Sequence, residues 1–173
     1  EIYTLSLHDA LPISSLGESM KRLLVLGVGN LLLTDDGVGI HAVQDLAKED
    51  EWSGLPVTFL DGATFTQDIF HIFQEYERVL VLDAIKAGRA PGTAYRFTEA
   101  ELRDNKAQRL SLHDIDLLDS LSMAELLGSK PELLVMGMEP LSISDWSMEL
   151  SEPVRTAYPL FLEAVRREIR ALL

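Results

Sequence analysis

The sequence predicts an α/β fold, a three-layer sandwich in which a mostly parallel central sheet carries helices on both faces. Three observations predict it. Continuous apolar runs at residues 23–26, 79–82 and 133–136 read as strands buried on both sides rather than as alternating half-exposed ones. Segments with apolar residues at helical spacing separate those runs. The runs end at Gly or Asp, the punctuation of strand-to-helix turns. The chain has 173 residues, enough for one domain with a sizeable core, and neither an internal repeat nor a linker interrupts it.

Each element follows in order. Residues 1–19 precede Met20 and have neither a basic start nor a long apolar centre, a poor match to a secretory signal. They resemble translated adapter sequence, and the native domain is expected to run from 20 to 173; a leader strand using Leu5, Leu7, Leu11 and Ile13 is the rival reading. The first strand, 23–26, runs into Gly27-Val28-Gly29-Asn30. A helix over 37–48 has Ile40, Val43, Leu46 and Ala47 on one face and His41 and Asp45 on the other. A short strand at 57–60 ends at Asp61-Gly62. Thr66 suits the N-cap of a second helix carrying Ile69, Phe70, Ile72 and Phe73. Strand 79–82 ends at Asp83, and 88–92 is a loop. Residues 93–97 alternate like an edge strand, 99–108 is polar and fits helix or loop, and 114–127 is helical through Ile115, Leu118 and Leu121. After strand 133–136 and a Gly- and Pro-marked loop, a helix over 153–172 closes the chain, with Ser151 as cap and Pro153 in its first turn.

Composition excludes several function classes. The net charge of −13 repels phosphate backbones, so nucleic acid is not an expected partner. With no cysteine there is no disulfide, no thiolate metal site and no cysteine nucleophile, which fits a reducing cytoplasm. No apolar run approaches the roughly 20 residues of a membrane span. HExxH, GxSxG and GxxxxGK[ST] patterns are absent. Gly27-Val28-Gly29 begins like a dinucleotide fingerprint, but Leu32 stands where the third glycine belongs.

In a parallel sheet, ligands bind beyond the carboxyl ends of the strands. The first strand leads to Asp35 and Asp36, the second ends at Asp61 and the third at Asp83, so three strands bring carboxylates toward one rim. Like charges there call for a cation or cationic ligand. His113, just before a helix, joins them if that helix returns to the same rim, and a neutral imidazole suits a borderline metal. Plainer roles stand beside these. Asp35 reads best as a turn or cap residue and Asp61 as a turn residue. Asp36 suits a helix N-terminus and His113 a cap or the surface. His41 and His71 read as surface residues. Asp83, after four apolar residues, most needs a partner.

The segment Gly27-Val28-Gly29-Asn30-Leu31-Leu32-Leu33-Thr34-Asp35-Asp36-Gly37-Val38-Gly39 closely resembles the opening motif of the hydrogenase maturation endopeptidases. The resemblance covers nearly all of 20–173, with shorter matches at Leu60-Asp61-Gly62 and Thr64, Asp83-Ala84-Ile85, Ala90-Pro91-Gly92-Thr93 and Ser111-x-His113. It implies an endopeptidase that removes the C-terminal extension of a nickel-iron hydrogenase large subunit precursor once nickel is inserted. It implies that Asp36, Asp83 and His113 contact that metal, with Asp36 and Asp83 as the catalytic acids. Asp36 stands where some members have Glu, one methylene longer. Nickel would come with the substrate and is not a resident cofactor; zinc or cadmium would substitute in vitro. The ion would act as a Lewis acid or as a recognition tag beside a carboxylate general base. Asn30 and Asp61 are candidates for orienting the ligands. The expected partner is the large subunit precursor, with no membrane, and a monomer is the simplest assembly. The alternatives are a nucleotide-binding Rossmann-like protein, a non-catalytic nickel-checkpoint chaperone of the large subunit, and a related peptidase such as a spore-protein protease that ignores nickel.

Overall fold

The computed structural model describes residues 22–63, 70–104 and 114–173. Strands β1 (Leu23–Gly27), β2 (Val57–Asp61), β3 (Arg78–Ala84), β4 (Ala94–Thr98) and β5 (Glu132–Met138) form one sheet in the order β2-β1-β3-β5-β4. All pairings are parallel except β4 against β5, which places the predicted edge strand at the sheet's margin. Helices α1 (Val38–Leu46), α2 (Phe70–Phe73), α3 (Glu99–Asp104), α4 (Asp114–Leu126) and α5 (Glu152–Leu172) cover both faces. The predicted fold class is the one observed. Residues 99–108, open between helix and loop in sequence, start as α3.

The apolar runs are continuous because each strand feeds two cores. On one face Leu23, Val25, Leu80, Leu82, Met136 and Met138 pack under α1 and α5. On the other Leu24, Leu26, Val79, Val81, Leu133 and Val135 pack under α2, α3 and α4. The α5 stripe of Val154, Phe161, Val165 and Ile169 is buried as the helical period requires. Polar contacts pin α5 beside α1. The Tyr158 hydroxyl donates to Asp45 at 2.8 Å, and Arg166 grips Glu49 through Nη2 at 2.7 Å and Nε at 3.1 Å. Burial and the Asp45 carboxylate together push the Tyr158 phenol well above its ordinary range.

Two expectations are corrected in detail. The first helix stops at Leu46 rather than 48, where a short 3-10 turn, Asp50–Trp52, takes over. Ser151 precedes α5 as expected, but its hydroxyl makes no cap bond; it donates instead to the buried Asp35 at 2.7 Å, a carboxylate being the stronger acceptor. Of the second helix, Phe70–Phe73 is described, and Thr66 and Ile69 lie outside the described residues. So does the whole of 1–19.

Candidate functional site

The strand order reverses between β1 and β3. The chain leaves β1 over the α1 face to reach β2, then returns to β3 on the opposite side of β1. Such a switch point leaves a crevice beyond the carboxyl ends of the two strands. The Val28 amide donates to the Leu82 carbonyl at 2.9 Å, carrying the pairing of β1 and β3 one residue further. The backbone then turns at Gly29, whose φ of +131° an L side chain rarely adopts, and a Cβ there would lie 1.8 Å from the Asp36 carbonyl oxygen. A 3-10 turn, Thr34–Gly37, follows and passes directly into α1. At Gly39 a Cβ would sit 2.0 Å from the Leu82 carbonyl oxygen, so only glycine lets α1 start this close to β3.

This turn delivers two neighbouring aspartates to different places. Asp36 is buried, and its Oδ2 accepts the Asn30 amide at 2.8 Å. An amide that a dinucleotide loop would offer to phosphate is thus given to a carboxylate, which weighs against the Rossmann-like alternative. Asp35 is fully buried and does more than the turn or cap role predicted. Its Oδ2 accepts the Leu141 amide (2.8 Å), the Ser142 amide (3.2 Å) and the Ser151 hydroxyl (2.7 Å), and its Oδ1 accepts the Ser151 amide (2.8 Å). Asp35 therefore fastens the loop between β5 and α5 to the site turn.

Asp83, the penultimate residue of β3, is buried, with Oδ1 accepting the Ala84 amide at 2.8 Å. Strand alternation puts it on the face of Val79 and Val81, the face covered by α4. Helix α4 ends at Leu126 and β5 begins at Glu132, so a short link forces α4 to run back against β5. His113, the residue before α4, lies outside the described residues, and among the described residues no three His, Asp or Glu side chains gather into a metal-binding group.

Asp61 is exposed and makes the turn predicted for it, Oδ1 accepting the Ala63 amide at 3.0 Å, while Oδ2 accepts Gln44 Nε2 at 3.1 Å. It lines a cavity of about 260 Å³ with Gly29, Asn30, Leu31, Ile40 and Ala63. Asn30 joins this cavity to the acid site through the hydrogen bond its backbone N–H donates to Asp36. His71 is exposed, as expected of a surface residue, while His41 is half-buried, its Nε2 donating to the Met148 carbonyl at 3.2 Å.

One residue escaped sequence reasoning. Glu139 follows β5 directly and is buried, and its carboxylate accepts the Ala87 (2.8 Å), Gly88 (3.3 Å) and Arg89 (3.4 Å) amides and the Tyr95 hydroxyl (2.5 Å). It thereby organises the loop that leaves β3 just after Asp83. Burial pushes the Glu139 carboxyl up, but the Tyr95 hydroxyl and the three amides outweigh it and hold the group below its ordinary value. Burial and the bond to Glu139 push Tyr95 up to about 12. The signal was present, since the strand-end argument applied to Asp83 applies equally to an acid after the apolar run 133–136.

A family model described as hydrogenase maturation protease matches residues 40–168, well over half of the chain. The chain belongs to this family. The protease is 38% identical over 152 residues to the hydrogenase expression/formation protein HupD of Rhizobium leguminosarum bv. viciae, covering 87% of this chain and 75% of that protein. It is 34% identical over 126 residues to the hydrogenase 2 maturation protease of Escherichia coli, covering 70% and 75%. Among solved structures it resembles the hydrogenase maturating endopeptidase HybD from E. coli, with a TM-score of 0.75, 30% identity, and coverage of 87% of this chain and 93% of that one. The protease is thus an enzyme of hydrogenase maturation, which answers the chaperone and nucleotide-binding alternatives. Among the described residues no helix is long and apolar enough to cross a membrane.

Proposed function

We propose that the protease removes the C-terminal extension of a hydrogenase large subunit precursor after nickel has been inserted, and that Asp36, Asp83 and His113 hold the ion that the precursor presents. The observation that carries this reading is the pair of buried carboxylates, Asp36 and Asp83, at the carboxyl edge where the strand order reverses. Two carboxylates carried to one strand-end crevice make an oxygen donor set that suits a divalent cation. His113 is taken as the third donor because a neutral imidazole suits the same class of ion. Oxygen and nitrogen donors suit a borderline ion, and since this chain has no cysteine, any thiolate ligand comes from the precursor.

Nickel is then part of the substrate. Gripped between precursor and protease, it reports that insertion is complete and sets the adjoining peptide against the crevice. Held there, the ion would supply Lewis acidity toward the scissile carbonyl or serve as the recognition tag, while a site carboxylate would take the proton of the attacking water and pass it to the departing amine nitrogen. Asn30 orients Asp36 through its amide, and Asp61 shapes the adjoining cavity. Zinc or cadmium carried by the precursor would stand in for nickel in vitro. The test is the intact mass of the large subunit after incubation with the protease, with and without nickel. Loss of a C-terminal peptide only from the nickel-loaded form is expected; equal trimming of the nickel-free form would refute the reading and favour a peptidase indifferent to nickel.

A further inference from the structure

The loop between β5 and α5 is bound to the site turn along its length, yet it turns large apolar side chains to solvent. Beyond the four bonds to Asp35, the Thr34 amide donates to the Ser147 carbonyl (2.8 Å), the Ser147 amide to the Leu32 carbonyl (3.0 Å) and the Thr34 hydroxyl to the Asp145 carbonyl (2.7 Å). These bonds make Leu33 and Ser147 a parallel bridge, which sets Leu32 beside the segment Trp146-Ser147-Met148. Trp146 is 80% exposed, Met148 60% and Leu32 47%. A loop this firmly held has no structural need to expose a tryptophan, and exposed apolar clusters of this kind mark interaction surfaces. The cluster is also continuous with the site, because the residue that clamps the loop, Asp35, immediately precedes Asp36.

We infer that Leu32, Trp146 and Met148 form the docking rim for the precursor polypeptide, engaging an apolar stretch of it flanked by basic side chains. This rests on the proposed function, since it takes the occupant to be the substrate of that site. The rim's fixed position relative to Asp36 suits a surface that must align a peptide bond with a metal, where a misplacement of about 1 Å is damaging. Exposed Asp145, Glu149 and Glu152 edge it with negative charge, on a chain whose net charge is −13, which favours Lys or Arg at the borders of the bound stretch. A tryptophan and a methionine together are the side chains from which binding hot spots are built.

The experiment is steady-state trimming of nickel-loaded precursor by the full chain, followed by intact mass, with the double substitution W146S/M148S. Both side chains are exposed, so the melting temperature stays unchanged. The KM is expected to rise about tenfold or more with kcat within about twofold, the signature of lost substrate binding. Trp146→Phe, which keeps an aromatic face, restores most of the affinity. Glu149→Lys raises KM severalfold, and an unchanged KM would overturn the basic flank. Unchanged KM in W146S/M148S overturns the rim, as does an unaltered protein that sediments as a dimer and becomes a monomer in that variant, which would assign the surface to a second copy. If the unaltered protein trims nothing, the functional reading fails and the rim's occupant with it; if it trims and only the variant's KM refuses to move, the rim alone is wrong.

Discussion

Replacing Asp35 by Ala should unfold the protein far more readily while replacing its neighbour Asp36 by Asn should not. The Asp35 carboxylate accepts four hydrogen bonds from the loop between β5 and α5, three of them on Oδ2. A hydrogen bond to a charged acceptor contributes about 1.5–3 kcal/mol, and losing the acceptor leaves its donors unsatisfied. Three donors sharing one oxygen cannot each contribute the full amount, and the donors are partly reached by water. A loss of about 4 kcal/mol is the working figure, which for a domain of this size lowers the melting temperature by roughly 10 °C. Ser151→Ala, which deletes one of the donors, should lose about 1 kcal/mol. In the double variant the losses should fall short of additive, because both remove the same bond. Asp36→Asn keeps an oxygen able to accept the Asn30 amide, so its loss falls on trimming and hardly on stability. Urea unfolding followed by circular dichroism measures all of these. A loss under about 1 kcal/mol in Asp35→Ala would refute the assignment of Asp35 as the residue that fastens the loop.

Other outcomes follow from the same geometry. Asp83→Asn should stop trimming of nickel-loaded precursor and leave the unfolding curve intact; unchanged trimming would remove Asp83 from the site. Gly39→Ala should destabilise by about 1–3 kcal/mol or more, because its new methyl meets the Leu82 carbonyl and must push α1 off β3. Gly29→Ala should lose stability at least as much as Gly39→Ala and depress trimming as well, since its φ disfavours a Cβ and the displaced group is the Asp36 backbone. Tyr95 has a folded value of about 12, above its ordinary 10.0, so the stability it contributes is complete below pH 10 and disappears as pH rises toward 12. Glu139 is held below its ordinary value of 4.5, so its contribution is complete above that value and fades as pH falls further. Glu139→Gln and Tyr95→Phe should flatten the acid and alkaline limbs respectively in plots of unfolding free energy against pH.

The architecture was legible where the physics is local. Residues 23–26 and 79–82 are apolar without alternation because both faces are buried, so composition alone marks them as interior parallel strands. Asp83 was legible for the same reason, as it interrupts the apolar run of β3 where parallel sheets place ligands, whereas Asp36 was reached only through the turn that follows β1. The division of labour between Asp35 and Asp36 was not. Asp35 takes its partners from residues 106 to 116 positions further along, and no local pattern signals an acceptor for so distant a loop. Ser151 misled for the complementary reason, since its local role as cap was displaced by that same distant carboxylate. Glu139 was legible in principle but hidden by the Pro-marked loop that begins beside it.

Asp36, Asp83 and His113 are proposed to converge on one divalent ion. Anomalous diffraction from crystals soaked with nickel, zinc or cadmium tests it most directly. A single ion is expected, bound by carboxylate oxygens of Asp36 and Asp83 and a ring nitrogen of His113, at about 2.0–2.2 Å for zinc. An ion held elsewhere, such as beside Asp61 in the neighbouring cavity, with Asp36 and Asp83 left uncoordinated, would contradict it.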